Sequence, residues 1–142
     1  MENEVHEGQA FFLPMVPPSK TAQEKRWKCV KGKPVGYMPE ELKAAYVKIR
    51  DAAAAYKPEV RWDGPLMLLV QWCFPADEKH PPGSWRTSKP DTDNLQKMLK
   101  DALTEAGFWV DDRLVVSETV QKFYLDTPGI YVRIERCEED DL

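Results

Sequence analysis

The sequence predicts one α+β domain, with two main helices packed on a mixed or antiparallel sheet. Its 142 residues suit a single domain, and 42% of them are apolar, which is enough for a hydrophobic core. Two segments have helical periodicity and several others have strand patterns, in the order strand, hairpin, helix, strand, helix, strand, strand. Helices and strands in this order indicate an α+β fold.

A strand and a hairpin precede the first helix. The apolar, aromatic run over residues 10–16 predicts a strand that ends before Pro17-Pro18. Residues 26–30 and 34–38 are predicted to form the arms of a hairpin, because Lys31-Gly32-Lys33 places a glycine at the turn between them.

The first helix is predicted to begin at Pro39 and to end near Lys57-Pro58. Proline suits the first turn of a helix, and Glu40 and Glu41 lie where the helix dipole favours acidic residues. The apolar residues of the segment repeat at i, i+3, i+4 and i+7, as one face of a helix requires: Leu42, Ala45, Tyr46, Ile49, Ala52 and Ala53.

The second half of the chain contains a buried strand, a long loop and the second helix. Residues 66–74 form a nearly continuous apolar run, which is typical of a buried strand. The polar segment 75–90 is predicted to be a loop, and loops of this length are usually functional or mobile. A single apolar stripe predicts a helix over 93–106, with Gly107 as its stop.

Two strands close the predicted domain. After a short extended piece at 108–110 and a turn at Asp111-Asp112, residues 114–125 and 130–134 have strand patterns. The four residues between these strands, 126–129, have the sequence of a turn.

Composition excludes several classes of protein. No run of 18 apolar residues exists, so no membrane span is predicted, and the N-terminal residues lack the apolar segment of a secretory signal. Three cysteines without a C-x-x-C pair argue for reduced thiols and against a disulfide scaffold or structural zinc. We therefore expect a cytoplasmic protein. With only two histidines, any catalysis must depend on carboxylates and lysines.

Charge is distributed unevenly along a chain whose net charge is −4. Residues 1–9 are predicted to be an acidic, flexible N-terminus and 136–142 an acidic tail, which leaves 10–135 as the folded domain. Segment 20–33 is basic, and either it follows a DNA backbone or it is a solubilising hairpin surface. The residues expected to contact DNA are Lys20, Lys25, Arg26, Lys28, Lys31 and Lys33, with Arg86 and Lys89 from the long loop.

Candidate metal ligands lie in residues 89–97, KPDTDNLQK, at the start of the second helix. Pro90 favours an extended chain, on which Asp91 and Asp93 point to one side and suit a hard cation. The helix N-terminus also attracts phosphate oxygens. The structural alternative is a capping box formed by Asp93 and Gln96, worth about 1 kcal/mol, which leaves Asp91 without a role.

Geometry predicts that a second acidic pair comes to the same place. A helix from Asp93 to Ala106 is about 21 Å long at about 1.5 Å per residue. Residues 107–112 span about 20 Å if they are extended. A chain that reverses at Gly107 therefore returns Asp111-Asp112 to the start of the helix. The alternative is that this dipeptide is a plain surface turn.

Lys97 lies four residues after Asp93, on the same helix face and away from the apolar stripe. Near a metal site it would contact the scissile phosphate or stabilise the developing negative charge. Alternatively, it forms an ordinary surface ion pair with Asp93, worth about 0.3–0.5 kcal/mol. Lys100 and Asp101 are in more solvent-exposed positions and are assigned no role.

The two acidic blocks together resemble the signature of the RusA family of Holliday-junction resolvases. The matching residues are KPDTDNLQK at 89–97, Asp101-Ala-Leu, and GFWVDD at 107–112. The first strand with Pro17-Pro18-Ser19-Lys20, and the closing pair of strands, agree with the layout of the family. The resemblance extends over about residues 10–135.

The resemblance implies a homodimeric, Mg²⁺-dependent endonuclease, with Mn²⁺ as a substitute, that resolves four-way DNA junctions by paired nicks in recombination and repair. It implies no nucleotide cofactor. The catalytic, metal-binding aspartates of the family correspond to Asp91, Asp93 and Asp112, and its functional lysine corresponds to Lys97. Asp111 and Asn94 are neighbours expected to support these ligands. The two acidic ends depart from the basic surface expected of a junction-binding protein.

Two other functions remain open from the sequence. A metal-dependent nuclease of the same chemistry would act on flaps or branched replication intermediates, whereas only a resolvase cuts symmetrically across a junction. A non-catalytic junction-binding module would use its acids only to cap a helix. Such a module would bind DNA equally well in EDTA and would never cut.

Overall fold

The computed structural model describes residues 7–19, 26–37 and 40–138, and it confirms the α+β class. Four strands form a mixed sheet in the order β1-β6-β4-β5, in which only β4 and β5 run parallel. The elements are β1 (Gly8–Pro14), β2 (Arg26–Val30), β3 (Lys33–Tyr37), α1 (Glu40–Ala54), β4 (Leu66–Pro75), α2 (Thr92–Ala106), a 3₁₀ turn (Asp112–Leu114), β5 (Val115–Leu125) and β6 (Gly129–Arg136).

The hydrophobic core lies between the two helices and one face of the sheet. Alternate residues of the central strand β4 are fully buried there, and they pack with the apolar stripe of α2. Each large side chain that leaves water in this way contributes about 1.5–3 kcal/mol. The other face of β4 has half-buried side chains, so the apolar run at 66–74 is buried mainly on one face. Among the described helices, none is long and apolar enough to cross a membrane.

β2 and β3 form a separate two-stranded hairpin, as predicted. Its turn is Lys31-Gly32, with φ of 53° and 77°, the pair of positive values that favours a tight two-residue hairpin. Residues 1–6 of the predicted flexible N-terminus, and residues 139–142 of the acidic tail, lie outside the described residues.

The boundaries of several elements differ from the predicted ones for local reasons. β1 spans Gly8–Pro14 rather than 10–16, because all seven residues pair in register with β6. α1 ends at Ala54, since the N–H groups of Tyr56 and Lys57 donate to carbonyls three residues back and close a turn instead. β5 begins at Val115 because the 3₁₀ turn occupies the preceding residues.

Candidate active site

The start of α2 differs from the predicted cap. Asp91, not Asp93, flanks the helix, with φ −69° and ψ 151°, and its side chain makes no capping hydrogen bond. Asp93 lies inside the first helical turn and not on an extended chain. Gln96 is 3% exposed, and it accepts from Trp72 Nε1 at 3.0 Å and donates to Glu118 Oε2 at 2.6 Å. The capping-box alternative is therefore wrong.

The carboxylates of Asp91, Asp93 and Asp112 have no hydrogen-bond or ion-pair partner in the part of the chain that the structure describes. Such all-oxygen donors suit a hard cation such as Mg²⁺. However, no three acidic, histidine or cysteine side chains among the described residues lie close enough together to hold a metal ion. The structure thus supplies suitable donors but does not gather the three predicted ligands into one group.

The segment after α2 returns along the helix, as predicted, but brings its acids to the middle of the helix. Asp111 and Asp112 line an open cavity of about 380 Å³ with Lys97 and Asp101 of α2. These two α2 residues belong to the second and third turns, beyond the predicted meeting point at the helix start. The chain is extended at Asp111, and it enters a 3₁₀ turn at Asp112.

The two acids of the returning segment have different surroundings. Asp111 Oδ1 accepts the backbone N–H of Arg113 at 2.8 Å, and Asp111 Oδ2 lies 3.8 Å from Arg113 Nε. Asp111 therefore caps the 3₁₀ turn, as the plain-turn alternative predicts for this dipeptide. Asp112 is half-buried and makes no such contact, so that its carboxylate remains available to a ligand.

Lys97 forms an ion pair with Asp101 at 3.3 Å, and not with Asp93. Its side chain is 69% exposed, and a pair at such a position contributes about 1 kcal/mol or less. The ammonium is therefore available to a phosphate. Asp101, to which the sequence assigns no role, holds Lys97 at the cavity. Lys100 is also not a free surface residue, because its Nζ lies 3.0 Å from Glu118 Oε1.

Lys122 of β5, which no sequence motif marks as a site residue, lies beside Asp91. Its Nζ donates to the carbonyl oxygens of Ser88 at 2.8 Å and Pro90 at 2.7 Å. Burial away from water lowers the pKa of Lys122, and repulsion from Arg86 lowers it further. Attraction to the carboxylate of Asp91 opposes both effects.

A signal for Lys122 was present in the predicted strand. Side chains alternate across a strand, so Glu118 and Lys122 lie on the same face as Tyr124, which is buried. Charged residues on the core face of a strand are rare unless they are paired. In the structure, Glu118 contacts Gln96 and Lys100 of α2, whereas Lys122 contacts the loop that precedes α2.

Arg86, which the sequence assigns to DNA binding, is engaged within the chain. Its Nε and Nη2 donate to the carbonyl oxygen of Lys89 at 3.1 and 2.5 Å. Its guanidinium also lies 4.0 Å above the ring of Phe74. These contacts hold the loop in place, and DNA contact by Arg86 stays a prediction.

The other predicted DNA-binding residues fall into two groups. Lys31, Lys33 and Lys89 are exposed, the first two at the hairpin turn and the third two residues before Asp91. The remaining four belong to the basic segment, where Lys20 and Lys25 lie outside the described residues, and Arg26 and Lys28 belong to β2. DNA contact by these residues stays a prediction.

Comparison with known proteins identifies the family. The sequence profile described as Endodeoxyribonuclease RusA matches residues 14–135, which include both acidic blocks. The chain belongs to the RusA endodeoxyribonuclease family. The resemblance stated from the sequence motifs is thereby confirmed, whereas the roles of individual site residues stay predictions.

Several curated proteins show the extent of this similarity. The crossover junction endodeoxyribonuclease rusA of Lactococcus phage r1t is 34% identical over 101 residues, which are 68% of this chain and 73% of the phage protein. The protein YqaN of Bacillus subtilis strain 168, named as uncharacterized, is 33% identical over 111 residues, which are 69% and 78% of the two chains. The crossover junction endodeoxyribonuclease RusA of Escherichia coli K12 is 62% identical over 39 residues, 28% of this chain and 32% of that protein.

Proposed function

We propose that this protein is a Mg²⁺-dependent endodeoxyribonuclease that resolves four-way DNA junctions by paired nicks, in recombination and repair. The observation that carries the proposal is the set of unpartnered carboxylates of Asp91, Asp93 and Asp112, with Lys97 on the same helix, within the described part of a RusA-family chain. The names of two similar proteins, crossover junction endodeoxyribonucleases, support the choice of substrate.

Asp91, Asp93 and Asp112 would hold the metal ion, and Asn94 and Asp111 would support them. The donor chemistry fits Mg²⁺, with Mn²⁺ able to replace it. When bound, Mg²⁺ lowers the pKa of a coordinated water and neutralises charge on the attacked phosphate.

Lys97 is the cation that would act on the reacting phosphate. Its Nζ exchanges Asp101 for a phosphate oxygen, and its charge stabilises the negative charge that develops as the phosphorus–oxygen bond breaks. The first turn of α2 presents free backbone N–H groups that also attract phosphate oxygens. The products would be a 5′-phosphate and a 3′-hydroxyl, which ligase can rejoin.

The proposed active unit is a homodimer, because paired nicks across a junction need two identical sites. A twofold dimer presents such sites in the symmetry of a four-way junction. The β2–β3 hairpin and the loop 76–89 would contact the arms of the junction, where Lys31, Lys33 and Lys89 are exposed. Binding through phosphates predicts an affinity that falls steeply with salt.

Cleavage of a synthetic four-way junction tests the proposal. Each strand is labelled in turn, and wild type is compared with Asp91→Asn and with Asp126→Asn, an exposed aspartate in the turn before β6. In Mg²⁺ we expect wild type and Asp126→Asn to cut two opposite strands symmetrically, leaving nicks that ligase can seal. Asp91→Asn should bind the junction without cutting it.

Two outcomes would favour the other functions. Preferential cutting of flaps, with no symmetrical cuts in the four-way junction, would identify a nuclease for branched intermediates. Junction binding that is equal in EDTA and in Mg²⁺, without cutting in either, would identify a non-catalytic binding module.

A further inference from the structure

The last part of the long loop lies along β5 and joins it through one antiparallel β-bridge, between Trp85 and Phe123. Gly83 N–H donates to Tyr124 O at 2.7 Å, and Tyr124 N–H donates to Ser84 O at 2.9 Å. Arg86 N–H then donates to Lys122 O at 3.0 Å. The loop is thus attached to the sheet up to Arg86, and only the segment 87–90 separates this attachment from Asp91.

Two cations hold the carbonyl groups of three successive residues in that segment. Lys122 Nζ donates to the oxygens of Ser88 and Pro90, at 2.8 and 2.7 Å. Arg86 takes the oxygen of Lys89, between them, with two guanidinium nitrogens. Hydrogen bonds from charged donors are stronger than those between neutral groups. The backbone is therefore held in place up to the residue before Asp91.

Asp91 depends on this backbone for its position. Its side chain makes no capping hydrogen bond to α2, so the helix does not orient the carboxylate. Its backbone oxygen accepts from Leu95 N–H at 3.1 Å, which ties the residue to the first turn of the helix. The direction of the carboxylate is consequently determined by where the chain enters Asp91.

We propose that Arg86 and Lys122 form a brace that positions Asp91 for metal binding, so that both are positioning residues of the nuclease site. This inference rests on the proposed function, in which Asp91 is a metal ligand. A displacement of about 1 Å at a reacting group costs about 100-fold in rate, so a loosened segment 88–90 would impair the site without removing any ligand. The brace assigns to Arg86 a role other than DNA contact.

The test compares Lys122→Gln, Lys122→Arg and Arg86→Gln with Lys48→Gln, which removes an exposed charge from α1, outside both the brace and the segments proposed to contact DNA. Three properties are measured: Mn²⁺ affinity by calorimetry without DNA, junction affinity in EDTA, and amide hydrogen exchange of residues 83–91. Circular dichroism confirms that each variant folds.

We expect Lys122→Gln to weaken Mn²⁺ binding by about 10–100-fold, the effect typical of groups that orient metal ligands. Exchange of residues 83–91 should become faster, while junction affinity in EDTA changes little. Lys122→Arg keeps a charged donor and should recover part of the Mn²⁺ affinity, and Lys48→Gln should behave as wild type. If Lys122→Gln does not fold, the Mn²⁺ affinity and amide exchange of Arg86→Gln and Lys122→Arg are compared with wild type instead.

Failure of the brace and failure of the proposed function give different results. If wild type binds Mn²⁺ and a folded Lys122→Gln or Arg86→Gln variant binds it equally well, the brace is wrong and the metal site stands. Faster exchange without loss of Mn²⁺ affinity would also overturn the brace, because it would show a purely structural role. If wild type binds no Mn²⁺ and cuts no junction, the proposed function fails and the brace fails with it.

Discussion

One acidic block lies at the start of α2 and the other in the segment that follows it. The chain is held by short-range contacts at the C-terminal end of α2 and by long-range contacts at its N-terminal end. At the C-terminal end, Gly107 has φ 96°, its N–H donates to Thr104 O at 3.2 Å, and Phe108 N–H donates to Leu103 O at 3.0 Å. This is the Schellman pattern, made by residues no more than five positions apart in the chain. At the N-terminal end no side chain caps the helix, and the entering chain is held by Lys122, which is 32 and 34 residues away from its two acceptors.

The difference shows where the candidate site is vulnerable. Asp111 and Asp112 depend on local turns, which form wherever their few residues are correct. Asp91 depends on contacts that exist only when β5 is in place beside the loop. Substitutions far along the chain should therefore disturb the first acidic block more than the second.

The largest expected effect comes from the proposed ligands themselves, in the two acidic blocks. Asp91→Asn and Asp112→Asn should each reduce single-turnover cleavage by more than about 100-fold, above the range for groups that only support ligands. Junction binding should stay or tighten, because each change removes a negative charge that faces phosphate. If Asp112→Asn cut at nearly the wild-type rate, the segment that follows α2 would not belong to the site.

The sequence predicted the C-terminal end of α2 well because its signals are local. Gly107 as a stop, and the Lys31-Gly32 turn of the hairpin, are confirmed because each needs only its immediate neighbours. The two helices and a sheet were likewise predictable from periodicity, whereas the sequence left a mixed and an antiparallel sheet open.

The N-terminal end of α2 was not predictable in the same way. The sequence suggested that Gln96 caps the helix, because capping pairs are recognised by spacing, whereas its contact with Trp72 is 24 residues away. The family motif named the acidic residues but not their distances from one another. The 3₁₀ turn that begins at Asp112 is also absent from a length calculation for an extended chain.

A second prediction separates the two acids of the returning segment. Asp111→Asn keeps the oxygen that accepts Arg113 N–H, so stability should stay near the wild-type value. Metal-supported cleavage should fall by about 10–100-fold, less than for Asp112→Asn. Asp111→Ala removes the cap as well and should cost about 1 kcal/mol in urea unfolding. If Asp111→Asn were inactive and Asp112→Asn remained active, Asp111 would be the metal ligand and Asp112 the supporting residue.

A third prediction tests the turn at Gly107 that ends α2. Gly107→Ala places a side chain at φ 96°, in the left-handed region, where an L residue costs about 1–2 kcal/mol. Its Cβ would also lie 3.2 Å from Lys57 Cδ, which can move. Urea unfolding should show this loss of stability, and Gly107→Asn should lose less because asparagine tolerates this conformation. Equal stability of Gly107→Ala and wild type would contradict a turn that depends on glycine.

The smallest expected effect concerns a long-range contact at the C-terminal end of α2, between Glu105 and α1. It tests whether this end of the helix depends on its local turn alone. Glu105 accepts a hydrogen bond from the Tyr46 hydroxyl and lies 2.8 Å from Arg50 Nη1, both on α1. The Tyr46 hydrogen bond, followed by that of Arg50, lowers the pKa of Glu105 below its ordinary value of 4.5. A carboxyl whose pKa is lowered by folding adds stability above the unfolded value, and that stability is lost as pH falls through the folded value.

Glu105→Gln should therefore lower the melting temperature slightly near pH 7, and the difference from wild type should narrow as pH falls below about 4.5. Because the Glu105 side chain is half exposed, the effect should be smaller than that of Gly107→Ala. Glu59→Gln, at an exposed glutamate outside the helices, serves as the control and should show no such narrowing. If the melting temperatures of Glu105→Gln and wild type differ by the same amount at pH 7 and pH 3, the charge of Glu105 does not hold the two helices together. The C-terminal end of α2 would then depend on its local turn alone.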